Sequence, residues 1–528
     1  MPSILDWFRR KKPDKELSRI VNVTQGNIQG FQFDIDNDRK VDIFLGVPFA
    51  TPPIGELRFK KPQPAEPWDG VRPCLEWGNR GVQKESFLES IGVPQSEDNL
   101  YLNVMTPQWE GPQTGFPVMV FVHGGAFLID SAVKYGYDGL AKYMCRHDVV
   151  VVTIQYRLGL LGFFTTGDDV CPGNFALWDQ TLALQWVRDN IRAFGGNPDC
   201  VTIFGQSAGG ASVDLLSLSP HSRDLFHRVI PMAGNAECNW AVAPRKTILE
   251  ECRKTARKLG YEGDDSAEMI AFLRTKKASE FGRGAMGWRG MEVSLISLDT
   301  APVIDGDFLP RSIDELRQET PRKPVMIGTC EHEGLAFAII DHYPFTIKGM
   351  EKWLSEAILE EENNDWKELR EEAMRLYMEG VDEKNKDAVT RAFIDMYSDV
   401  FLGYGNAMYA EKTSQRGDEV FTTFCSKALC SAASHCTELP YIFGHSIIFP
   451  FTYNDKDRAM IDRMTEMWTN FAKFGNPNGA DSSKATWKPT DPRTLKYFSI
   501  NESCEMRENY GEKRINFWRR VKMPSKTS

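Results

Sequence analysis

Apolar residues along this chain gather in short continuous runs and not in strict alternation. Residues 116–122 (FPVMVFV), 149–156 (VVVVTIQY), 201–205 (VTIFG) and 324–328 (PVMIG) are the clearest. Continuous β-branched and apolar runs predict strands buried on both faces, as in a sheet covered by helices. Pro117 has no N–H to donate, so the paired part of the first run is expected to begin at Val118. Between the runs the spacing changes. Residues 179–192 (DQTLALQWVRDNIR) place Leu182, Leu184, Trp186, Val187 and Ile191 at roughly helical intervals. Residues 351–379 are charged and amphipathic, which predicts further helix, and the acidic run 360–365 (EEENND) within them is read as a solvated helix or loop.

Strands alternating with helices predict an α/β fold with a central, mostly parallel, twisted sheet flanked by helices. No Pro/Gly/Ser-rich linker, internal repeat or low-complexity segment divides the chain. The expected organisation is a basic N-terminal tail over 1–19, one large domain over 20–510 and a C-terminal tail over 511–528. The N-terminus (MPSILDWFRRKKPDKE) has too few apolar residues for a signal-peptide core, and its basic run follows them instead of preceding them. No stretch approaches the roughly 18 apolar residues that a membrane-spanning helix needs. Sequons at Asn22 and Asn501 would matter only in a secretory protein.

Composition narrows the picture. At 528 residues, 42% hydrophobic and 26% charged, this is an ordinary globular chain, long enough to bury a large core without disulfides or metals. A net charge of −10 argues against nucleic acid as the main partner, because phosphate binding needs a basic face. Eleven cysteines show no dense framework of short spacings, which excludes a small disulfide scaffold.

The chemistry concentrates in VTIFGQSAGG, residues 201–210. Gly205-Gln206-Ser207-Ala208-Gly209 is a G-x-S-x-G between a strand and a predicted helix, the setting of a nucleophile elbow. Glycines two residues either side let the backbone turn sharply there. A serine needs a base, and in the Ser…acid…His chain order of such enzymes six histidines qualify: His221, His227, His332, His342, His435 and His445. The residues alone do not choose among them. His123-Gly124-Gly125-Ala126-Phe127 follows the strand 118–122, where backbone N–H groups form an oxyanion hole in such folds. Gly282 to Gly287 spells G-x-G-x-x-G but follows no strand, so a dinucleotide site is not expected. Cys425, Cys430, His435 and Cys436 match zinc spacing poorly, and Cys330-Glu-His-Glu333 is a further cluster that could hold a cation but is better explained by the family resemblance given below, so neither cofactor nor metal is called for.

These motifs sit within a longer pattern. FLGVPFATPPIGELRF (44–59), SEDNLYLNV (96–104), GNFALWDQ (173–180), NIRAFGGNP (190–198), PVIDGDFLP (302–310) and WTNFAKFGNP (468–477) all appear. From about residue 20 to 500 the chain resembles a type-B carboxylesterase, of the carboxylesterase/cholinesterase family of α/β hydrolases. The resemblance implies an α/β-hydrolase fold and a triad of Ser207, Glu333 and His435. It implies oxyanion donors at Gly124, Gly125 and Ala208, and places Trp240 and Gln206 beside the substrate. It also implies structural ion pairs between Arg58 and Glu97 and between Arg157 and Asp179. The implied partner is a small-molecule ester. The same triad would serve an acyltransferase to an alcohol or sugar hydroxyl, and some members of the family only bind partners.

Departures from the family pattern sharpen the reading. Its two disulfides fall on Gly81 with Asn99 and on Tyr261 with Phe272, so both partners of both bridges are missing together. That implies a reducing, cytoplasmic setting. The choline-binding tryptophan of cholinesterases falls on Glu89, and the residue before the nucleophile is the neutral Gln206. A cationic ester thus loses two supports, and an uncharged or lipophilic one is implied. Ala233 replaces a serine thought to steady the acid.

Overall fold

The computed structural model describes residues 15–36, 38–84, 92–283, 298, 300–426, 432–447, 452–481 and 486–521. Its framework is one sheet. The strands are β1 (Leu17–Val23), β2 (Gly26–Asp34), β3 (Lys40–Pro48), β4 (Val71–Pro73), β5 (Tyr101–Pro107), β6 (Phe116–Val122) and β7 (Val150–Ile154). They continue with β8 (Gly196–Gln206), β9 (Arg228–Met232), β10 (Val325–Cys330), β11 (Val420–Cys425), β12 (Tyr497–Ile500) and β13 (Glu505–Arg507). Their spatial order is β1-β2-β3-β5-β7-β6-β8-β9-β10-β11-β12-β13, with β4 paired to β2. From β7 to β12 every pairing is parallel. The N-terminal strands and β13 add antiparallel margins.

The continuous apolar runs are explained by which face each residue serves. Val118, Val120 and Val122 of β6, with Val150, Val152 and Ile154 of β7, enter one core. Met119, Phe121 and Val151 enter the other. Successive strand side chains point to opposite faces, so a strand covered on both sides must be apolar at every position. The helices Phe175–Asn190 and Ala208–Leu218 line the first core. Leu439–Phe443 and the long helix Asp455–Phe474 line the second. This is the α/β-hydrolase architecture that the motifs implied.

Local differences have local causes. The register of β6 on β8 shifts between Phe116 and Val118, which leaves Pro117 out of the ladder. The run 351–379 is two helices, Ile347–Ala357 and Trp366–Met378. Exposed Glu360, Glu361 and Asp365 of the acidic run lie in the turn between them. Beyond the boundary expected at 510, Glu512–Arg520 forms a helix that buries Ile515, Phe517 and Trp518. The Trp518 indole donates to Tyr377 Oη at 2.8 Å. Three apolar positions among many charges read as a tail in sequence, and the packing partner 141 residues upstream was not visible there.

Both implied ion pairs form. Arg157 donates to Asp179 from Nε at 2.8 Å, from a terminal nitrogen at 2.7 Å and from its backbone N–H at 3.0 Å, with both residues buried. Arg58 reaches Glu97 at 2.6 Å and also donates to the Lys276 carbonyl. A third pair was not anticipated. Arg317 is bidentate to Asp214, at 3.0 and 2.9 Å, which fastens the helix behind the elbow to the helix Ile313–Glu319. The lost disulfide positions still face one another. A Cβ on Gly81 would lie 3.1 Å from Asn99 Nδ2, and the rings of Tyr261 and Phe272 are 5.7 Å apart.

Removing one partner of a buried, hydrogen-bonded ion pair strands the other charge, typically for about 3–5 kcal/mol. Asp179→Ala is therefore expected to lower the free energy of unfolding, measured by denaturant titration, by that amount. The double replacement Arg157→Met/Asp179→Leu is expected to recover most of it.

Candidate active site

The elbow begins where β8 ends. Ser207 caps the helix Ala208–Leu218 with φ 60° and ψ −126°, a conformation few non-glycine residues adopt. Such a residue costs on the order of 1–3 kcal/mol and persists only where its surroundings enforce it. Here they do. The Ser207 N–H donates to the Met232 carbonyl at 2.9 Å, and its own carbonyl accepts from Ala211. Glycine is required around it by close approach. A Cβ on Gly209 would sit 2.1 Å from the Val122 carbonyl, and one on Gly205 would sit 2.4 Å from the Gly209 carbonyl. A Cβ on Gly234 would sit 2.2 Å from the Ser207 carbonyl. Ser207 itself is 9% exposed.

Glu333 and His435 come from the loops after β10 and β11. Strand pairing sets them side by side: the His332 N–H donates to the Ala433 carbonyl at 2.7 Å, extending the β10–β11 register past the strand ends. His435 Nδ1 lies 2.6 Å from Glu333 Oε2. The other carboxylate oxygen accepts the Cys330 N–H, also at 2.6 Å. With an ionised acid as partner Nδ1 carries the proton, which leaves Nε2 as the basic nitrogen. Burial disfavours the imidazolium, yet the Cys436 sulfur and the Glu333 carboxylate beside it hold the His435 pKa well above its ordinary value. Gln206 ties this pair to the elbow. Its amide nitrogen is 3.3 Å from His435 Nε2, and its amide oxygen is 3.2 Å from Cys436 Sγ.

The loop after β6 leans on the same turn. A Cβ on Gly124 would lie 2.5 Å from the Gln206 carbonyl and 3.1 Å from Ser207 Cβ. Gly125, Ala126 and Phe127 follow one another at φ 92°, 56° and 61°. Among the described residues, the N–H groups of Gly124, Gly125 and Ala208 make no hydrogen bond. Tyr156, which the sequence reading passed over, braces the loop. Its hydroxyl donates to the His123 carbonyl at 2.8 Å, and its ring stacks on His123 at 4.4 Å. Burial pulls the His123 pKa below its ordinary value, so that imidazole is neutral. Gln83 clasps the far end of the loop through both backbone groups of Asp130.

Aromatic rings wall the space around the serine. Phe337 lies 4.8 Å from the His435 ring and 4.0 Å from Phe401. Phe401 stacks on Trp240 at 5.7 Å, and the Trp240 indole donates to the Phe401 carbonyl. Phe127 closes the arc, 6.4 Å from Trp240. Trp240 was singled out in sequence only by the resemblance. Phe337, on the helix Gly334–Ile340 that starts at Glu333, and Phe401, on the helical turn Asp399–Gly403, were given no role there.

The other five candidate histidines lie away from the Glu333–His435 contact. His221 lies 3.3 Å from Asp307, His227 accepts the Val201 N–H, and His332 lies 3.5 Å from Asp395. His342 has φ 55° in the turn after the helix Gly334–Ile340, and His445 packs near Gly136 and Gly139. Among the described residues no three His, Cys, Asp or Glu side chains converge as a metal site. Cys430, Glu89 and residues 284–287 of the G-x-G-x-x-G string lie outside the described residues. Ala233 has no hydroxyl to offer, and the Glu333 carboxylate is held by the Cys330 N–H and by His435. A second buried acid, Glu438, accepts from Cys330 Sγ at 3.1 Å. Burial, and then the Glu333 charge, push its pKa up to about 7.

Comparison with known proteins agrees with this geometry. The model of the carboxylesterase family matches residues 17–518. The chain is 38% identical to "Esterase cest-33" of Caenorhabditis elegans, over 94% of this chain and 93% of that protein. It is 32% identical to human "Carboxylesterase 5A", over 94% of this chain and 88% of that protein. It is 33% identical to the "Fatty acyl-CoA hydrolase precursor, medium chain" of Anas platyrhynchos, over 93% and 90% respectively. With a sheet, an elbow and a family match that span nearly its whole length, the chain belongs to the carboxylesterase family and is a carboxylic ester hydrolase.

Proposed function

We propose that Ser207, Glu333 and His435 form the catalytic triad of a serine esterase acting through an acyl-enzyme on uncharged or lipophilic esters. The observation that carries this reading is the 2.6 Å contact between His435 Nδ1 and Glu333, beside a serine held in a strained turn. Ser207 Oγ attacks the ester carbonyl while His435 Nε2 takes its proton. Glu333 keeps the imidazole oriented and stabilises the imidazolium. The oxyanion meets the N–H groups of Gly124, Gly125 and Ala208 at the start of a helix, whose dipole favours negative charge. Each such donor typically contributes about 3 kcal/mol to the transition state. The imidazolium then gives its proton to the leaving alkoxide, and the alcohol departs. Water repeats the cycle on the acyl-enzyme and releases the acid. The aromatic arc of Phe127, Trp240, Phe337 and Phe401 suits an apolar acyl or alcohol group, and the neutral Gln206 offers no attraction for a cation.

We assign the protein to a reducing compartment such as the cytoplasm. Supporting this, non-covalent contacts stand at both disulfide positions of the family. A thiol map of the native protein by mass spectrometry is expected to find most cysteines reduced; a majority in disulfides overturns the assignment.

Wild-type protein is expected to take up one organophosphate at Ser207 and to hydrolyse p-nitrophenyl esters over a ladder of acyl lengths. Ser207→Ala is expected to lose both, with kcat falling by on the order of 10⁴-fold or more. An unlabelled wild type removes the serine-esterase reading. Capture of the acyl group by added alcohols or glycosides in preference to water would replace hydrolysis by transfer.

The pH profile carries a second test. Only neutral His435 accepts the serine proton, so kcat/KM falls as pH drops through its pKa, which lies well above the ordinary value. Glu333→Gln removes a charge that favours the imidazolium. Its acid limb is expected at lower pH than in wild type, with a much reduced maximum. An unmoved limb would mean that Glu333 is not the partner of the base.

A further inference from the structure

Phe401, one ring of the aromatic arc, is held in place from outside the site. It sits at the middle of the helical turn Asp399–Gly403, in which the Tyr404 N–H reaches back five residues to the Asp399 carbonyl. Such wide turns are rare and frequent only at functional sites, where the extra residue redirects the side chains on the turn. Here the turn carries the Phe401 ring onto Trp240 and Phe337, and the Phe401 carbonyl accepts the Trp240 indole N–H at 3.0 Å. A movement of the turn therefore moves two walls of the arc together.

The helix Glu512–Arg520 grips the first residue of this turn twice. Arg514 Nε lies 2.9 Å from Asp399 Oδ2, and the same oxygen accepts the Tyr377 hydroxyl at 2.6 Å. Tyr377 in turn accepts the Trp518 indole N–H at 2.8 Å. Arg514 also reaches Asp395, on the preceding helix Lys386–Ser398, at 3.4 Å. Burial pushes the Asp399 pKa up to about 6, and the Arg514 charge works against that shift. Arg514, Asp399 and Glu333 line one polar cleft of about 230 Å³, so a change at Arg514 also reaches the back of the acid.

We propose that Arg514 is a positioning residue for acyl-chain selectivity: through Asp399 it holds Phe401 where that ring limits the length of acyl group the site takes. The inference rests on the reading of the aromatic arc as the wall of the substrate site, and it adds what fixes that wall. Arg514 touches no substrate. With the ion pair gone, the wide turn is released toward an ordinary α-helical turn, which rotates Phe401 out of the arc and lengthens the pocket. Trp518 supports the same anchor through Tyr377.

The test measures kcat/KM of full-length protein for p-nitrophenyl acetate and p-nitrophenyl decanoate and takes their ratio, decanoate over acetate. Phe401→Ala sets the scale and is expected to raise this ratio by about tenfold or more. Arg514→Ala is expected to raise it by about fivefold or more, mainly through a lower KM for decanoate, and Arg514→Lys, which keeps the charge, to stay within about twofold of wild type. Trp518→Phe keeps an aromatic ring in the core and loses the indole N–H. Its ratio is expected to rise by about threefold, and it decides the matter if Arg514→Ala yields no folded protein. Damage to the acid or partial unfolding lowers both esters in proportion and leaves the ratio where it was, so the ratio separates positioning from a merely structural role. A wild-type ratio in Arg514→Ala and Trp518→Phe, with a raised one in Phe401→Ala, overturns this inference and leaves the arc standing. A wild-type ratio in Phe401→Ala removes the arc as the acyl wall, and this inference with it.

Discussion

The site depends on the backbone of one residue. Ser207 is held at φ 60° because β8 must become a helix within a single residue while the serine stays at the edge of the sheet. That turn forces neighbouring chain so close that Gly205, Gly209 and Gly234 have no room for a side chain. It also leaves the first N–H of the helix free beside the serine, next to the glycines of the loop after β6. Strain at Ser207 and the free N–H of Ala208 are thus two results of one geometry, maintained by burial of the helix Ala208–Leu218 and by its bidentate anchor from Arg317 to Asp214.

The other groups converge because the strands are parallel. The glycine loop 123–127, Ser207, Glu333 and His435 follow β6, β8, β10 and β11, so each emerges at the C-terminal edge of the same sheet, where open α/β folds bind their ligands. The β10–β11 ladder runs on to His332 and Ala433. It therefore sets the separation of Glu333 and His435 much as it sets the spacing of the strands. Around this rigid edge the polar contacts are dense and buried. Cys330 serves the acid with its N–H and Glu438 with its thiol, and Gln206 spans from the base to Cys436. In so buried a region each group feels its neighbours, so the thiols and the second carboxyl beside Glu333 and His435 form one polar network with them.

The absent disulfides have been absorbed by packing. Asn99 faces Gly81 and donates to the Tyr156 carbonyl, and the same Tyr156 braces the loop after β6 through its hydroxyl on the His123 carbonyl. Tyr261 and Phe272 meet as rings. Closing a long loop with a covalent bond mainly restricts the unfolded chain. In a chain with cores on both faces of a large sheet, burial supplies that stability by another route.

Sequence alone determined whatever is local. A run of apolar residues states that a strand is covered on both faces, and G-x-S-x-G between a strand and a helix states that the turn is tight, because the cause and its signature lie within ten residues. By residue arithmetic six histidines stayed equivalent, and only the family resemblance singled out His435. Its contact with Glu333 spans 102 residues, and no periodicity encodes a pairing over that distance. The aromatic arc, the Tyr156 brace, the burial of Trp518 and the contact of Cys436 with Gln206 were decided by the tertiary structure. Each depends on which strands lie side by side and which way a side chain faces, and long-range packing alone sets both.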